Sequence, residues 1–520
     1  MKRRKFIQAT GTVISLPILL NGFRLAAMPR QSIFNAISEE TDRVLVLIQL
    51  NGGNDGLNTV LPLDQYSRLA AARSSILIPE SQALGLSDTV GLHPAMGRLR
   101  ELYEGAKLSI VQSVGYPEQN RSHFRSMDIW TSGSPATETW TTGWLGRFLQ
   151  TGHPDFPLGY PHAEAPHPFA ITMGSIVSET CQGSAANFSL TLNDPFSLTP
   201  LTQSAPDEVP DTPYGEELTY LRTTIAQTNA YGSEITTAAE SGSNLVDYPE
   251  GNRLAAQLKN IALLISGGLQ TKVYVANIGG FDTHANQVQE GDPALGAHAV
   301  LLDQLSEAMA SFQADLQQQG LAERVVTMTF SEFGRQIRAN GSLGTDHGTA
   351  APLLVAGACV NPGIIGHNPE IPQEVQPQEG VPMQYDFRDV YGSVLMDWFG
   401  VPEEEVRRLL HQDFQHIPIL NPCQSPVGTA PPAASAPAVD LQVFPNPFRA
   451  GTNLRFESRG QWARLSVFNS LGNEIRVLVN HRLPAGWHDF RFDANGLPPG
   501  NYYFRLQLGS GQRTVAGVKW

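Results

Sequence analysis

Between residues 43 and 420, nearly unbroken apolar runs alternate with segments of helical spacing. Arg43–Leu50 (RVLVLIQL), Lys107–Val111, Lys272–Ile278, Arg324–Phe330 and Leu353–Ala356 have the pattern of strands covered on both faces. Ala95–Tyr103, Asn252–Ser266 and Ala297–Gln318 carry apolar residues at helical intervals. The alternation predicts an α/β domain over 42–420, a doubly wound sheet with helices on both faces. Pro195 to Val246 interrupts it with Thr, Ser, Pro and acidic residues and one helix at Glu216–Gln227, so 195–246 reads as an insertion, either a cover for a site or a surface decoration. Beyond Leu441 the period changes to two. Leu441–Phe444, Asn453–Glu457, Arg464–Phe468, Trp487–Phe492 and Tyr502–Leu508, separated by Gly, Pro and Asn turns, predict a small immunoglobulin-like β-sandwich over 440–520. Residues 421–439 hold five prolines and almost no large apolar side chain, which predicts a semi-extended linker.

The chain opens Met1-Lys2-Arg3-Arg4-Lys5, then runs through Val13, Ile14, Leu16, Ile18, Leu19 and Leu20 before Asn21-Gly22. That stretch is too short to cross ~30 Å of hydrocarbon, so 1–27 reads as an export signal with cleavage near Leu25-Ala26-Ala27, and no permanent transmembrane span is expected. A mean hydropathy of -0.18 agrees. The net charge of -14, with no basic cluster, argues against nucleic acid as a partner. Cys181, Cys359 and Cys423 lack the spacing of a zinc site and are too few for a disulfide framework, so no chemistry is expected of them.

In open α/β sheets ligands sit beyond the carboxyl ends of the strands, which directs attention to the loops after the apolar runs. Asp55 lies in Asn51-Gly52-Gly53-Asn54-Asp55-Gly56, where it is either a turn former or a ligand. Lys272–Ile278 gives way to Gly279-Gly280-Phe281-Asp282-Thr283-His284; in an extended tail Asp282 and His284 project the same way and could share a metal. Arg324–Phe330 leads into Ser331-Glu332-Phe333-Gly334-Arg335, and the following loop holds Gly344-Thr345-Asp346-His347-Gly348. Adjacent side chains diverge, so Asp346 and His347 serve two ions, or an ion and a substrate. Oxygen and nitrogen donors without thiolate suit Zn, Mn or Fe or, with more carboxylates, Ca or Mg. Arg121-Ser122-His123-Phe124 joins a hydroxyl, an imidazole and a guanidinium, which either form a nucleophile, a base and a charge clamp or simply begin a helix. Asp386-Phe387-Arg388-Asp389 reads as a helix cap.

Three resemblances follow from these strings. Arg3-Arg4-x-Phe6-Ile7 resembles a twin-arginine signal, implying the twin-arginine translocon as a partner. Phe444-Pro445-Asn446-Pro447-Phe448, Val467-Phe468-Asn469-Ser470-Leu471-Gly472 and Pro499-Gly500-Asn501-Tyr502-Tyr503-Phe504 look like the C-terminal sorting domain of the type IX secretion system, with Val518-Lys519-Trp520 in place of the usual basic terminus. The implied route runs through the periplasm to the cell surface or medium. Finally, the ordered string Gln49 to Val60, Arg121 to Phe124, Gly280 to His284, Ser331 to Arg335 and Gly344 to Gly348 resembles the exported bacterial family numbered 1501 among domains of unknown function. That family is similar in fold to the alkaline phosphatase and sulfatase superfamily.

The resemblance implies Asp55, Asp282, His284, Asp346 and His347 as metal ligands and Ser122 as a nucleophile. His123 would be an acid or base, and Arg121 and Arg335 would neutralise substrate charge. No Cys/Ser-x-Pro-x-Arg sequence occurs, which argues against a formylglycine sulfatase, and Asp282-x-His284 replaces the superfamily's four-residue Asp-to-His spacing. The expected function is a secreted, metal-dependent hydrolase of phosphate or sulfate esters or related anions. The alternative is a non-catalytic, surface-displayed binding or structural protein on the same fold.

Overall fold

A computed structural model describes residues 42–198, 212–423, 441–460, 462–469, 474–508 and 511–520, together with the paired segments Leu19–Leu20 and Phe23–Arg24. The rest of the expected export signal and most of the expected linker lie outside the described residues. The chain divides into two units, 1–423 and 424–520.

The first unit is built on one nine-stranded sheet. Its strands are β1 (Val44–Asn51), β2 (Leu108–Gly115), β3 (Ala170–Met173), β4 (Ser189–Leu192), β5 (Val273–Gly279), β6 (Val325–Phe330), β7 (Ala351–Ala356), β8 (Gly363–Ile365) and β9 (Tyr385–Asp386). In space they run β8-β2-β7-β6-β1-β5-β3-β4, with β9 also on β2. The apolar runs form the middle of the sheet for the reason their pattern gives: every residue of β2 and of β6 is buried, so both faces need apolar cover. Alternate residues feed two cores, Val44, Val46 and Ile48 into one and Leu45 and Leu47 into the other.

Helices cover both faces. α1 (Tyr66–Arg73) and α2 (Gly97–Glu104) precede β2, and α3 (His123–Ser132) follows it. Downstream come α4 (Trp144–Gly152), α5 (Pro213–Ser241), α6 (Arg253–Ser266), α7 (Ala297–Gln318), α8 (Phe387–Phe399) and α9 (Glu403–Leu409). Asn252 and Asp386 cap α6 and α8, each side chain accepting a first-turn amide hydrogen. The helix expected at Glu216–Gln227 extends over all of α5.

The sheet is mixed, because β7 runs antiparallel to both of its neighbours while the other neighbouring pairs are parallel. An apolar run cannot report its direction; that depends on the connection, and the β6–β7 connection turns back at the rim where β6 ends. One expectation needs correction, because cysteine does carry chemistry: Cys359 and Cys423 form a disulfide with Cα atoms 5.2 Å apart, and only Cys181 stays free, buried. Sequence separation of 64 residues hid the pair.

The second unit is a sandwich. Gln442–Phe444, Gly451–Arg459 and Ala485–Asp493 form one antiparallel sheet, and Glu474–Arg482, Trp462–Phe468, Gly500–Leu508 and Gly511–Lys519 form the other. Leu454, Phe456, Leu465, Val467, Phe492 and Phe504 fill the space between them. Among the described residues, no helix is long and apolar enough to cross a membrane.

Candidate metal centre

β1, β5 and β6 are parallel neighbours in register, Gly279 beside Asn51 and Phe330 beside Gln49, so the loops that follow them emerge together. β2 ends at the same rim, and β7, being antiparallel, begins there. That is why Asp346 and His347, which precede a strand, meet residues that follow strands. The loop after β1 lies directly on its neighbours: a Cβ at Gly52 (φ 121°) would sit 2.2 Å from the Asp282 nitrogen, and one at Gly53 (φ 82°) 2.4 Å from the Phe333 ring. Glycine is required at both.

Four side chains converge at this rim. His347 Nε2 is 2.9 Å from His284 Nε2 and 3.2 Å from Asp282 Oδ1. His284 Nε2 is 3.1 Å from the same oxygen, and His123 Nε2 is 3.5 Å from Asp282 Oδ2. The opposite nitrogen of each imidazole faces an acceptor at 2.8 Å: His123 Nδ1 the Glu332 carboxylate, His284 Nδ1 the Asp346 carboxylate, and His347 Nδ1 the Arg121 backbone carbonyl. An ionised carboxylate and a carbonyl can only accept, so each Nδ1 carries a hydrogen; a ring that is neutral then turns an Nε2 lone pair toward Asp282, and a ring protonated at both nitrogens donates to it. His123 Nε2 is buried with no hydrogen-bond partner. With all three rings neutral, three lone pairs and a carboxylate facing one another repel unless a cation lies among them.

The donor set fits a divalent ion. Ligands about 2.0–2.1 Å from a tetrahedral ion place neighbouring donors about 3.3 Å apart; the four contacts above span 2.9–3.5 Å, His123 meeting Asp282 Oδ2 and the other two histidines Oδ1. His123, Asp282 and His347 form a group whose ligand atoms all lie within 4.8 Å of one another, and His284 falls outside that group. Imidazoles held by carboxylates and a carbonyl are the usual outer arrangement of a metal-binding histidine.

Electrostatics follow from the neighbours. Burial pushes the Asp282 carboxyl up, but the hydrogen bond and charge of Arg335, with help from His284 and His347, hold it below its ordinary value. The hydrogen bond from His284 does the same for Asp346, against its partial burial. His347 is pushed down, first by burial and then by the charges of Arg335 and His123, against its bonds to the Arg121 carbonyl and Asp282.

Other expected site residues stand elsewhere. Asp55 does not join the cluster: it is 1% exposed, pairs with Arg73 at 3.0 Å and accepts from Gln287 Nε2 at 2.6 Å. Burial pushes its carboxyl up, and Arg73 and His298 more than reverse this. Arg335 is not free to meet a substrate. Its buried guanidinium donates to the carbonyls of Gly52, Gly53, Phe281 and Thr345 and, at 2.7 Å, to Asp282. It therefore ties three loops together and orients a ligand. Asp346 holds His284 at the ring nitrogen remote from the cluster, beside Asn340. Ser122 occupies the cap position of α3 without a capping bond, is exposed, and has no side-chain partner among the described residues. The Arg121 side chain bonds to the Gln378 carbonyl.

Glu332 was missed as a functional residue. It is 2% exposed, accepts from the Gly52 amide at 2.9 Å as well as from His123, and lies 3.3 Å from the Ser331 hydroxyl. A carboxylate two residues past a strand whose pattern marks it as buried is the signal in the sequence that points to it.

No curated protein matches this chain. Solved structures similar to it include a sulfatase from Pseudoalteromonas sp., 10% identical over 90% of this chain and 88% of that one, TM-score 0.31. Another is a protein of the alkaline phosphatase superfamily from Vibrio parahaemolyticus, 9% identical over 92% and 80%, TM-score 0.29. PorZ, a surface component of the type IX secretion system of Porphyromonas gingivalis, is 12% identical over 15% of this chain, TM-score 0.13; the chain spans 11% of its length. Residues 442–517 match the secretion system C-terminal sorting domain, which implies type IX secretion and export to the cell surface or beyond. Residues 42–396, more than half of the chain, match the model described as "Protein of unknown function (DUF1501)", and the chain belongs to that family.

Proposed function

We propose that the first unit is an exported, metal-dependent hydrolase of phosphate or sulfate esters or related anions, with His123, Asp282, His284 and His347 holding the ion. The observation that carries this reading is the orientation of the three imidazoles, each fixed through Nδ1 so that Nε2 faces the Asp282 carboxylate. A bound divalent ion supplies charge for the ester's anionic oxygen and lowers the pKa of an adjacent water or hydroxyl toward ~7.

The chain's own residues do the rest. Arg335 fixes the Asp282 carboxylate by charge and hydrogen bond. Glu332, Asp346 and the Arg121 carbonyl set the tautomers. The α3 N-terminus, lacking a side-chain cap, leaves its first amide hydrogens for an anionic oxygen at the end of the helix where His123 sits. The exposed Ser122 hydroxyl adjoins that position and is the candidate nucleophile. Arg121 borders the same end of α3.

Full-length protein, stripped with chelator and reloaded with zinc, manganese, iron, calcium or magnesium, is assayed for metal content and for hydrolysis of a broad panel of phosphate, phosphonate and sulfate esters. One tightly held ion per chain is expected, with turnover that His347→Ala and Asp282→Asn abolish. Metal binding without turnover on any ester supports the alternative, a non-catalytic surface protein. Absence of stoichiometric binding for every ion removes the centre itself.

A further inference from the structure

Behind the candidate centre, one buried side chain joins three of the loops that build it. Gln287, on the loop between β5 and α7, is fully buried. Its Nε2 donates to Asp55 Oδ2 at 2.6 Å, and its Oε1 accepts from the Thr345 hydroxyl at 2.7 Å and the Thr283 hydroxyl at 3.1 Å. Thr283 separates Asp282 from His284, and Thr345 precedes Asp346 and His347. The same loops also meet through their backbones: the Thr345 amide donates to the Thr283 carbonyl at 3.2 Å and the Gln287 backbone amide to the Leu343 carbonyl at 2.9 Å.

Asp55 settles which end of Gln287 faces which partner. An ionised carboxylate only accepts, so the NH2 group faces Asp55, the side-chain oxygen is left for the two hydroxyls, and both hydroxyls donate. Asp55 is itself held: Arg73 donates to Oδ1 at 3.0 Å and reaches the Ile337 and Gln336 carbonyls, just past Arg335. Arg335 grips Asp282 directly, whereas Gln287 grips the residues beside the centre's side chains. Stability alone is a weak reason for such a network, since a buried ion pair often contributes no more than apolar side chains of the same volume. What a fully bonded buried network does provide is one arrangement of the segments it joins, and here those segments carry Asp282, His284, Asp346 and His347.

Resting on the metal centre of the reading above, though not on ester hydrolysis, we propose that Gln287 is a positioning residue. It holds the loop of Asp282 and His284 against the loop of Asp346 and His347 at the spacing one divalent ion requires, and so sets the affinity and ligand geometry of the centre without being a ligand. Its action passes through the Thr283 and Thr345 hydroxyls. Thr345→Val keeps the volume but removes the hydroxyl, so it should behave like Gln287→Met, and Thr345→Ser, which keeps the hydroxyl, like the wild type.

Chelator-stripped full-length protein, wild type and variants, is titrated with zinc against a chromophoric chelator. The cobalt(II)-loaded forms are read by visible absorption, whose bands follow ligand geometry. Gln287→Met and Thr345→Val should each raise the zinc dissociation constant ~10-fold or more and shift the cobalt bands, while Thr345→Ser keeps both at wild-type values. The melting temperature of the stripped protein, recorded in parallel, reports what the network contributes to stability alone. Zinc constants and cobalt bands unchanged in both variants, even beside a lower melting temperature, overturn the proposal and leave a purely structural network. An effect in only one of the two, or one of equal size in Thr345→Ser, overturns the path through the hydroxyls. Should Gln287→Met fail to fold, the two Thr345 variants decide. Wild-type protein that binds neither ion removes the centre and the proposal together; wild type that binds zinc but hydrolyses no ester, with both variants weakened, overturns the hydrolase and keeps the role of Gln287.

Discussion

Replacing Glu332 by Gln tests whether the carboxylates behind the histidines act on the centre or merely fill space. Gln has the same shape, but only one of its two terminal atoms accepts. The native Oε1 takes hydrogens from both the Gly52 amide at 2.9 Å and His123 Nδ1 at 2.8 Å. If the amide oxygen of Gln stays on Gly52 and also serves His123, the NH2 group faces the Ser331 side, and the charge that stabilised the His123 ring orientation is gone. If the NH2 group turns to His123 instead, Nδ1 must accept, the hydrogen moves to Nε2, and the ring can no longer donate a lone pair. In either arrangement His123 becomes a poorer ligand. Outer partners of this kind are worth about 10- to 100-fold in metal affinity, or about 1.4–2.7 kcal/mol. The assay is a competition titration of zinc against a chromophoric chelator on chelator-stripped protein, with circular dichroism to verify the fold. Glu332→Asp, which keeps the charge, should recover part of the affinity. A dissociation constant within twofold of wild type in Glu332→Gln would refute the argument that Glu332 sets the tautomer.

Other consequences are open to measurement. Arg335→Lys cannot reach four carbonyls and Asp282 together; leaving buried acceptors unpaired at ~1–3 kcal/mol each should lower the melting temperature by many degrees, and an unchanged melt would show the network to be dispensable. Cys423→Ser opens a closed loop of 64 residues, which on the chain-entropy model costs about 4 kcal/mol; the urea midpoint should fall, and reductant should reproduce the shift in the wild type but not in the variant. His298 is pushed down to about 4 and His93 to about 3, burial being the main cause, so below ~6.5 the unfolded chain takes up protons that the folded chain refuses. Stability should therefore decline as pH falls from ~6.5 toward 4, by up to ~1.4 kcal/mol per pH unit for each histidine, and His298→Gln should flatten that slope; a slope identical to wild type would rule His298 out as its source.

How far the sequence could be read depended on how local each determinant is. β1, β5 and β6 follow from apolar runs that no solvent-facing strand would tolerate, and the loops after them were identified by position alone. Asp282 and His284 do meet, at 3.1 Å, but not through the alternation of an extended tail: a bond from the Thr283 amide to the Phe281 carbonyl turns the chain there, which the two-residue spacing could not report. Asp346 and His347 do diverge, one to each nitrogen of the same His284 ring. What could not be read is what each side chain meets across the fold. Asp55 resembles a ligand until Arg73, arriving on α1, takes its carboxylate. Arg335 resembles a substrate clamp until the glycine loop closes over it. The role of Glu332 depends on α3 bringing His123 within 2.8 Å. The disulfide and the direction of β7 are likewise set by pairings between distant segments.

The Cys359–Cys423 bond also has a mechanical meaning. A pull on the sorting domain loads the first unit at Cys423, and without a crosslink that load would fall first on the pairing of Ile419–Asn421 with Cys359–Asn361 and then on α9 and α8. With the crosslink, tension enters through Cys359, three residues past β7, and is resisted by a strand hydrogen-bonded on both edges in the middle of the sheet. The crosslink therefore moves the first point of load from the last residues of the unit to a strand in the middle of its sheet.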